Sequence, residues 1–134
     1  MKFLLDTNIC IFLMKNRPET VARYEQNKKF GIAISSITLS ELKFGVYNSE
    51  NPESNYKNLL RFLIGIEVLD YNSAAADEYG RIRAELRRKG TPIGQMDMLI
   101  AAHAKAENLT LVTNNTREFE RVEGLCLEDW TQSL

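Results

Sequence analysis

Four acids in this chain stand where a hydrolytic site could be assembled: Asp6, Glu41, Asp97 and Glu118. Each falls at the carboxyl end of an expected strand or in the first turns of the helix that follows. In a doubly wound α/β sheet those positions share one rim. Carboxylates crowded at one rim repel, and the usual remedy is a hard divalent cation with oxygen ligands, Mg²⁺ or Mn²⁺. Such an ion, open to solvent, activates water and neutralises charge on a phosphodiester. The competing chemistries lack their parts. His103 is the only histidine, with no second His or Cys nearby to complete a metal-ligand pattern, and is read as structural. No Ser or Cys elbow supports acyl transfer, and no Gly-rich loop cradles a phosphate.

Each acid also has a plainer use. Asp6 or Thr7 can cap the helix that follows Phe3–Leu5, and Glu41 near a helix N-terminus complements the helix dipole. Four independent caps, however, have no need to converge.

The elements that must position these acids alternate between strand and helix. Phe3–Leu5 suits a buried parallel strand, and residues 9–14 are apolar on every side, so that helix must be covered by the rest of the fold or by another chain. Pro18 opens a peripheral helix through Lys29. Ile32–Ile34 is a second strand ending at Ser35 and Ser36, and the helix 37–47 repeats Leu39, Leu42 and Val46 at buried-stripe spacing. Asn51 and Pro52 start a helix through Ile64, with Tyr56, Leu59, Leu60 and Leu63 facing inward. A strand at 66–69 leads to a helix capped by Asn72 or Ser73 and closed by Gly90. After Pro92 and Gly94, Asp97 opens an alanine-rich helix that packs closely on the sheet. Leu109–Val112 is a strand ending in Thr113, Asn114 and Asn115, with Glu118 in a short helix beyond. Residues 124–127 form a last short strand whose Trp130 packs on the body.

The totals agree with a single domain spanning 1–134. A chain of 134 residues buries roughly two-thirds of the surface it exposes when unfolded. Hydrophobic residues at 44% and charged residues at 26% are ordinary for a globular protein, and a formal charge of −1 supplies no global field for nucleic acid. Any RNA contact is then local, and the most basic spot is the end of the helix before Gly90, carrying Arg83, Arg87, Arg88 and Lys89. Cations at a helix C-terminus are also ordinary dipole partners. Two distant cysteines, Cys10 and Cys126, suit a reducing compartment. With no signal-peptide layout and no apolar run near the ~18 residues of a membrane span, the expected location is cytoplasmic.

Taken in order, Leu-Leu-Asp-Thr-Asn (4–8), Ser-Glu-Leu (40–42), Asp-Met-Leu-Ile-Ala-Ala-His-Ala (97–104) and Val-Thr-Asn-Asn-Thr-Arg-Glu-Phe (112–119) resemble a PIN-domain ribonuclease, most closely the VapC-type toxin of bacterial type II toxin–antitoxin systems. The resemblance covers nearly the whole chain. It implies a three-layer α/β/α fold with a parallel five-stranded sheet, and Mg²⁺- or Mn²⁺-dependent endonuclease action on tRNA or another structured RNA, which stops translation. By matching motif, Asp6, Glu41 and Asp97 would be metal ligands and Glu118 would complete the acidic set. Thr113 and Asn115 match polar positions of the family, with Thr7 and Asn8 as further candidates. Many members carry an acid where this chain has Asn115, which leaves a second metal open, and Gln95 stands where proline is frequent. The resemblance also implies a VapB-type antitoxin whose C-terminal segment covers the rim, and a toxin homodimer or toxin–antitoxin hetero-oligomer.

Other readings predict different residues. A haloacid-dehalogenase-type phosphatase would use Asp6 as nucleophile and want an acid two residues on, where Asn8 stands. A response-regulator receiver needs an Asp ending the third strand and a Lys ending the fifth, and neither is present. A binding-only module would use the acids to hold a structural ion or an antitoxin arginine.

Overall fold

The structure, a computed structural model, describes residues 1–132. Five parallel strands, β1 (Phe3–Leu5), β2 (Ile32–Ser35), β3 (Glu67–Leu69), β4 (Thr110–Val112) and β5 (Leu127–Glu128), lie in the order β3-β2-β1-β4-β5. Alternation along β1 builds the two faces. Leu4 packs with Ala33, Leu111 and the inner residues of α5 (Ser73–Lys89) and α6 (Gln95–Ala106). Phe3 and Leu5 pack on the other side with Ile32, Ile34, α1 (Thr7–Met14), α3 (Ser36–Tyr47) and α4 (Pro52–Phe62). The result is the expected three-layer sandwich. Trp130, fully buried, closes that second face with its ring edge-on to Phe3 at 5.1 Å between centroids.

The strand order matters more to function than the layers do. From β1 the chain winds one way through β2 and β3, then returns to the other side of β1 with β4 and β5. The winding reverses between β1 and β4, and the crevice outside the carboxyl ends of the strands at such a point is where open α/β sheets bind ligands. Asp6 ends β1 and Thr113 ends β4. The Asp6 N–H donates to the Val112 carbonyl at 3.0 Å, which locks the two ends together.

Several element boundaries move. The second helix, α2 (Pro18–Asn27), stops earlier than expected, and Lys28–Phe30 tighten into a 3₁₀ turn. Helix α4 ends at Phe62, and Leu60 is about half exposed rather than inward, because Leu59 already fills the core-facing position. Helix α6 starts two residues before Asp97, since Gly94 with extended backbone serves as its N-cap and leaves the acid inside the first turn. Asn72 is the residue that caps α5, its side-chain Oδ1 accepting the Ala75 N–H at 3.0 Å. Gly90 closes α5 at φ 68°, a left-handed conformation that glycine adopts without steric cost. The final strand holds only Leu127 and Glu128, followed closely by the buried Trp130. Among the described residues no helix is long and apolar enough to cross a membrane.

Candidate active site

At Asp6, capping and rim position turn out not to be alternatives. Its carboxylate accepts the Ile9 N–H at 3.0 Å and so caps α1, while the Thr113 hydroxyl bonds the same carboxyl from the end of β4. The residue is 6% exposed. Burial lifts its carboxyl to about 6, opposed by the bonds from Thr113 and Ile9 and reinforced by the nearby charges of Asp97 and Glu41.

Asp97, on the first turn of α6, is also held above the usual carboxylate range. Burial is the main cause, followed by the charge of Glu118, a hydrogen bond shared with Glu118, and the charge of Glu41. Thr7 donates its hydroxyl to Glu41 at 2.5 Å, joining the first turn of α1 to α3. Asn115 donates its side-chain amide to Glu118 at 3.1 Å, and its backbone N–H donates to the Thr113 hydroxyl at 3.0 Å. All four sequence-expected acids thus communicate at one rim. Thr7, Thr113 and Asn115 each hold an acid in place, whereas Asn8 is exposed on α1.

The donor set suits a hard divalent cation, being all oxygen, anionic and self-repelling. Among the described residues, no three acids are drawn together at ligating distances. The rim consists instead of paired contacts, Glu41 with Thr7 and Glu118 with Asp97 and Asn115.

Two positioning features escaped the sequence reading. A Cβ built on Gly94 would come within 3.3 Å of the Asp97 Oδ2 atom, so glycine leaves room for that carboxylate. Gly94→Ala is expected to displace the Asp97 carboxylate while costing about 1 kcal/mol or less in stability, because its φ of −57° suits alanine. A crystal structure of the variant beside a thermal melt separates the two effects; an unmoved carboxylate would show that Asp97 has slack there.

The second feature is Ser35. Its hydroxyl caps α3 by accepting the Ile37 N–H at 3.1 Å and lies 2.8 Å from Nδ1 of His103, on α6. His103 is fully buried, edge-on to Tyr71, and burial pushes its pKa down, so it is a neutral core residue as expected. The pair ties the helix carrying Asp97 to the start of the helix carrying Glu41. Paired serines ahead of an apolar helix are a capping signal, which the sequence does carry.

Beside Glu41 runs a groove of about 340 Å³ between α1, α3 and α4, lined by Ile11, Met14, Leu42 and Val46. Phe44 and Tyr47 on α3 are 68% and 67% exposed. On α1 itself, Ile11, Phe12 and Met14 of the apolar run are only half-buried, so that run is covered in part by its own chain.

A parallel α/β sheet with acids gathered at its reversal point is the frame of this site, and the PIN-domain family model matches residues 3–125. The chain belongs to the PIN-domain family. It is 51% identical over 131 residues to a tRNA(fMet)-specific endonuclease VapC from Shigella flexneri, covering 98% of this chain and 99% of that one. A ribonuclease VapC2 from Rickettsia felis is 45% identical over 135 residues, covering 97% and 98%. Among solved structures, VapBC2 from Rickettsia felis bound to a promoter DNA fragment superposes with a TM-score of 0.92 at 44% identity, over 97% of this chain and 99% of that one.

Proposed function

We propose that this chain is a VapC-type toxin, a single PIN domain that cleaves RNA endonucleolytically with a divalent cation and is silenced by a VapB-type antitoxin. The observation that carries the reading is the place of the acids: the buried Asp6 sits where the winding reverses, locked to the end of β4 by its N–H on the Val112 carbonyl, with Glu41 joined to the same rim through Thr7 and Asp97 in the first turn of α6. Buried acids that raise one another's pKa in a crevice are a functional-site signature. The names of the relatives support RNA as substrate and tRNA as its class.

Asp6 and Asp97 would hold the cation, Mg²⁺ or Mn²⁺, with Glu41 beside them and Glu118 closing the set. When bound, the ion supplies Lewis-acid polarisation of the phosphodiester and lowers the pKa of attacking water. The chain's own part is orientation. Thr113 and the Ile9 N–H fix the Asp6 carboxyl, Thr7 fixes Glu41, and Asn115 fixes Glu118. RNA contact falls to the end of α5, where among the described residues Arg83, Arg87 and Arg88 have no carboxylate partner. Lys89 there is shared with Glu85 and Glu123.

For the antitoxin, the groove beside Glu41 and the exposed Phe44 and Tyr47 give a segment apolar surface next to the rim it must block. Solved VapBC assemblies of similar chains support that partner and a hetero-oligomer. The cytoplasm is where such a toxin meets tRNA.

The purified protein, incubated with total RNA with and without Mg²⁺ or Mn²⁺, is expected to produce discrete cleaved ends in tRNA only when a divalent ion is present. Either ion should also raise the melting temperature of the folded protein, because it binds the rim of the folded state alone. Cleavage that survives chelation would refute the metal-dependent mechanism, and an intact RNA pool under every condition would refute the ribonuclease reading.

A further inference from the structure

The cations along the C-terminal half of α5 are not equivalent. Arg81 Nε pairs with Asp77 at 3.0 Å, and Lys89 Nζ pairs with Glu85 at 2.9 Å and more loosely with Glu123 at 3.8 Å. Arg83 and Arg87, one helical turn apart and so on one side of α5, have no such acid partner among the described residues. Both border a solvent-facing recess of about 420 Å³, with the buried side chains of Leu86 and Met98 in its lining and Gly90 and Pro92 along its edge.

This recess is built rather than incidental. Arg83 Nη1 donates to the Tyr79 hydroxyl at 3.1 Å, and its guanidinium lies 6.0 Å from the Tyr79 ring centroid. Gln95 Nε2 reaches the same hydroxyl at 3.4 Å from the first residue of α6. Arg121 Nη1 donates to the Pro92 carbonyl at 3.0 Å and secures the loop. That loop runs directly into the helix carrying Asp97, and Met98 in the recess follows Asp97 in sequence.

Dipole complementation explains Arg87, which is in the last turn of α5, but not Arg83, which lies a turn earlier. Two unneutralised guanidinium forks above an apolar floor match a phosphate joined to a sugar, because the fork donates two N–H bonds to phosphate oxygens and the ribose covers carbon. We propose that Arg83 and Arg87 form the subsite for a non-scissile phosphate flanking the bond cut at Asp97, with Tyr79 and Gln95 as positioning residues. The proposal rests on the RNA-cleaving reading above and adds where the strand leaves the rim.

The test separates binding from cleavage. Fluorescence anisotropy of a labelled tRNA, in chelator and at several salt concentrations, compares the unaltered chain with Arg83→Gln/Arg87→Gln and with Arg81→Gln, whose arginine is already paired with Asp77. The double variant is expected to bind about tenfold or more weakly, with a salt slope shallower by about 1, while Arg81→Gln binds as the unaltered chain does. In cleavage assays the double variant should raise KM and keep kcat, and Tyr79→Phe should give a smaller KM rise. A neutral methylphosphonate placed singly along a substrate oligonucleotide should weaken the unaltered chain at one flanking position and leave the double variant indifferent there. If the double variant binds tRNA normally, or every methylphosphonate position costs it as much as the unaltered chain, the subsite is refuted. If the unaltered chain binds but never cleaves, while the double variant loses binding, the nuclease reading fails and the phosphate subsite stands.

Discussion

Asp6→Asn is expected to abolish RNA cleavage and, at neutral pH, to make the protein more stable. The loss of activity should be on the order of a thousandfold or more, since the substitution removes the buried carboxylate proposed as a ligand at the centre of the rim. The stability gain follows from the same charge. In the unfolded chain this carboxyl titrates near 3.8 and in the fold at about 6. Between those values the folded state binds more protons, so wild-type stability falls as pH rises from about 4 through about 6. The two-unit difference corresponds to about 3 kcal/mol above that window, and to a melting temperature higher by roughly 10 °C in the variant. Asn keeps an oxygen for the Ile9 N–H and turns its amide toward the Thr113 hydroxyl, so the helix cap survives. Thermal melts of both proteins from pH 4 to pH 8 check this, with the gap closing at the acid end. A variant less stable than wild type at pH 8 would show that Asp6 is held by attractive contacts that outweigh its burial.

Asp97→Asn carries the second large effect. Cleavage should again fall by on the order of a thousandfold, with folding intact and tRNA affinity in chelator retained. Glu118→Gln should cost less, because Glu118 meets the rim through Asp97 and Asn115 rather than at the switch point. The two changes should not add: once Asp97 is neutral, its repulsion with Glu118 is gone, and the second substitution has less left to change. Rates of the two single variants and the double variant, with melts of each, decide the matter. Equal losses that simply multiply would mean that the two acids act on different steps. Asp97 is only half buried, so its stability gain at neutral pH should be smaller than that of Asp6.

Much of this site is legible before any coordinates. Asp6, Glu41, Asp97 and Glu118 can be picked from strand ends and helix starts, because hydrophobic runs and capping residues are local signals. The sequence also marks Gly90 as a helix stop and His103 as a core residue. Its local pattern is weaker at edges: the start of α6 two residues before Asp97 depends on Gly94, whose extended backbone is not written in any periodicity. Leu60 shows the same limit, since an apolar residue at helical spacing can still be left outside when its neighbour Leu59 takes the core.

What the residues alone determined was therefore which chemistry the chain can support: oxygen ligands, negative charge, no nucleophile elbow, and an order of motifs shared with PIN-domain ribonucleases. What only the tertiary structure decided was which strand ends meet. The return of β4 to the far side of β1 brings Thr113 onto Asp6, and the packing of α3 against α1 brings Glu41 onto Thr7. It also separated the basic helix end into neutralised pairs and the Arg83–Arg87 recess. The physical reason is common to all three. Charge burial, pairing and pKa depend on atoms distant in sequence, and those distances are set by sheet order and helix packing rather than by the local pattern that writes each element.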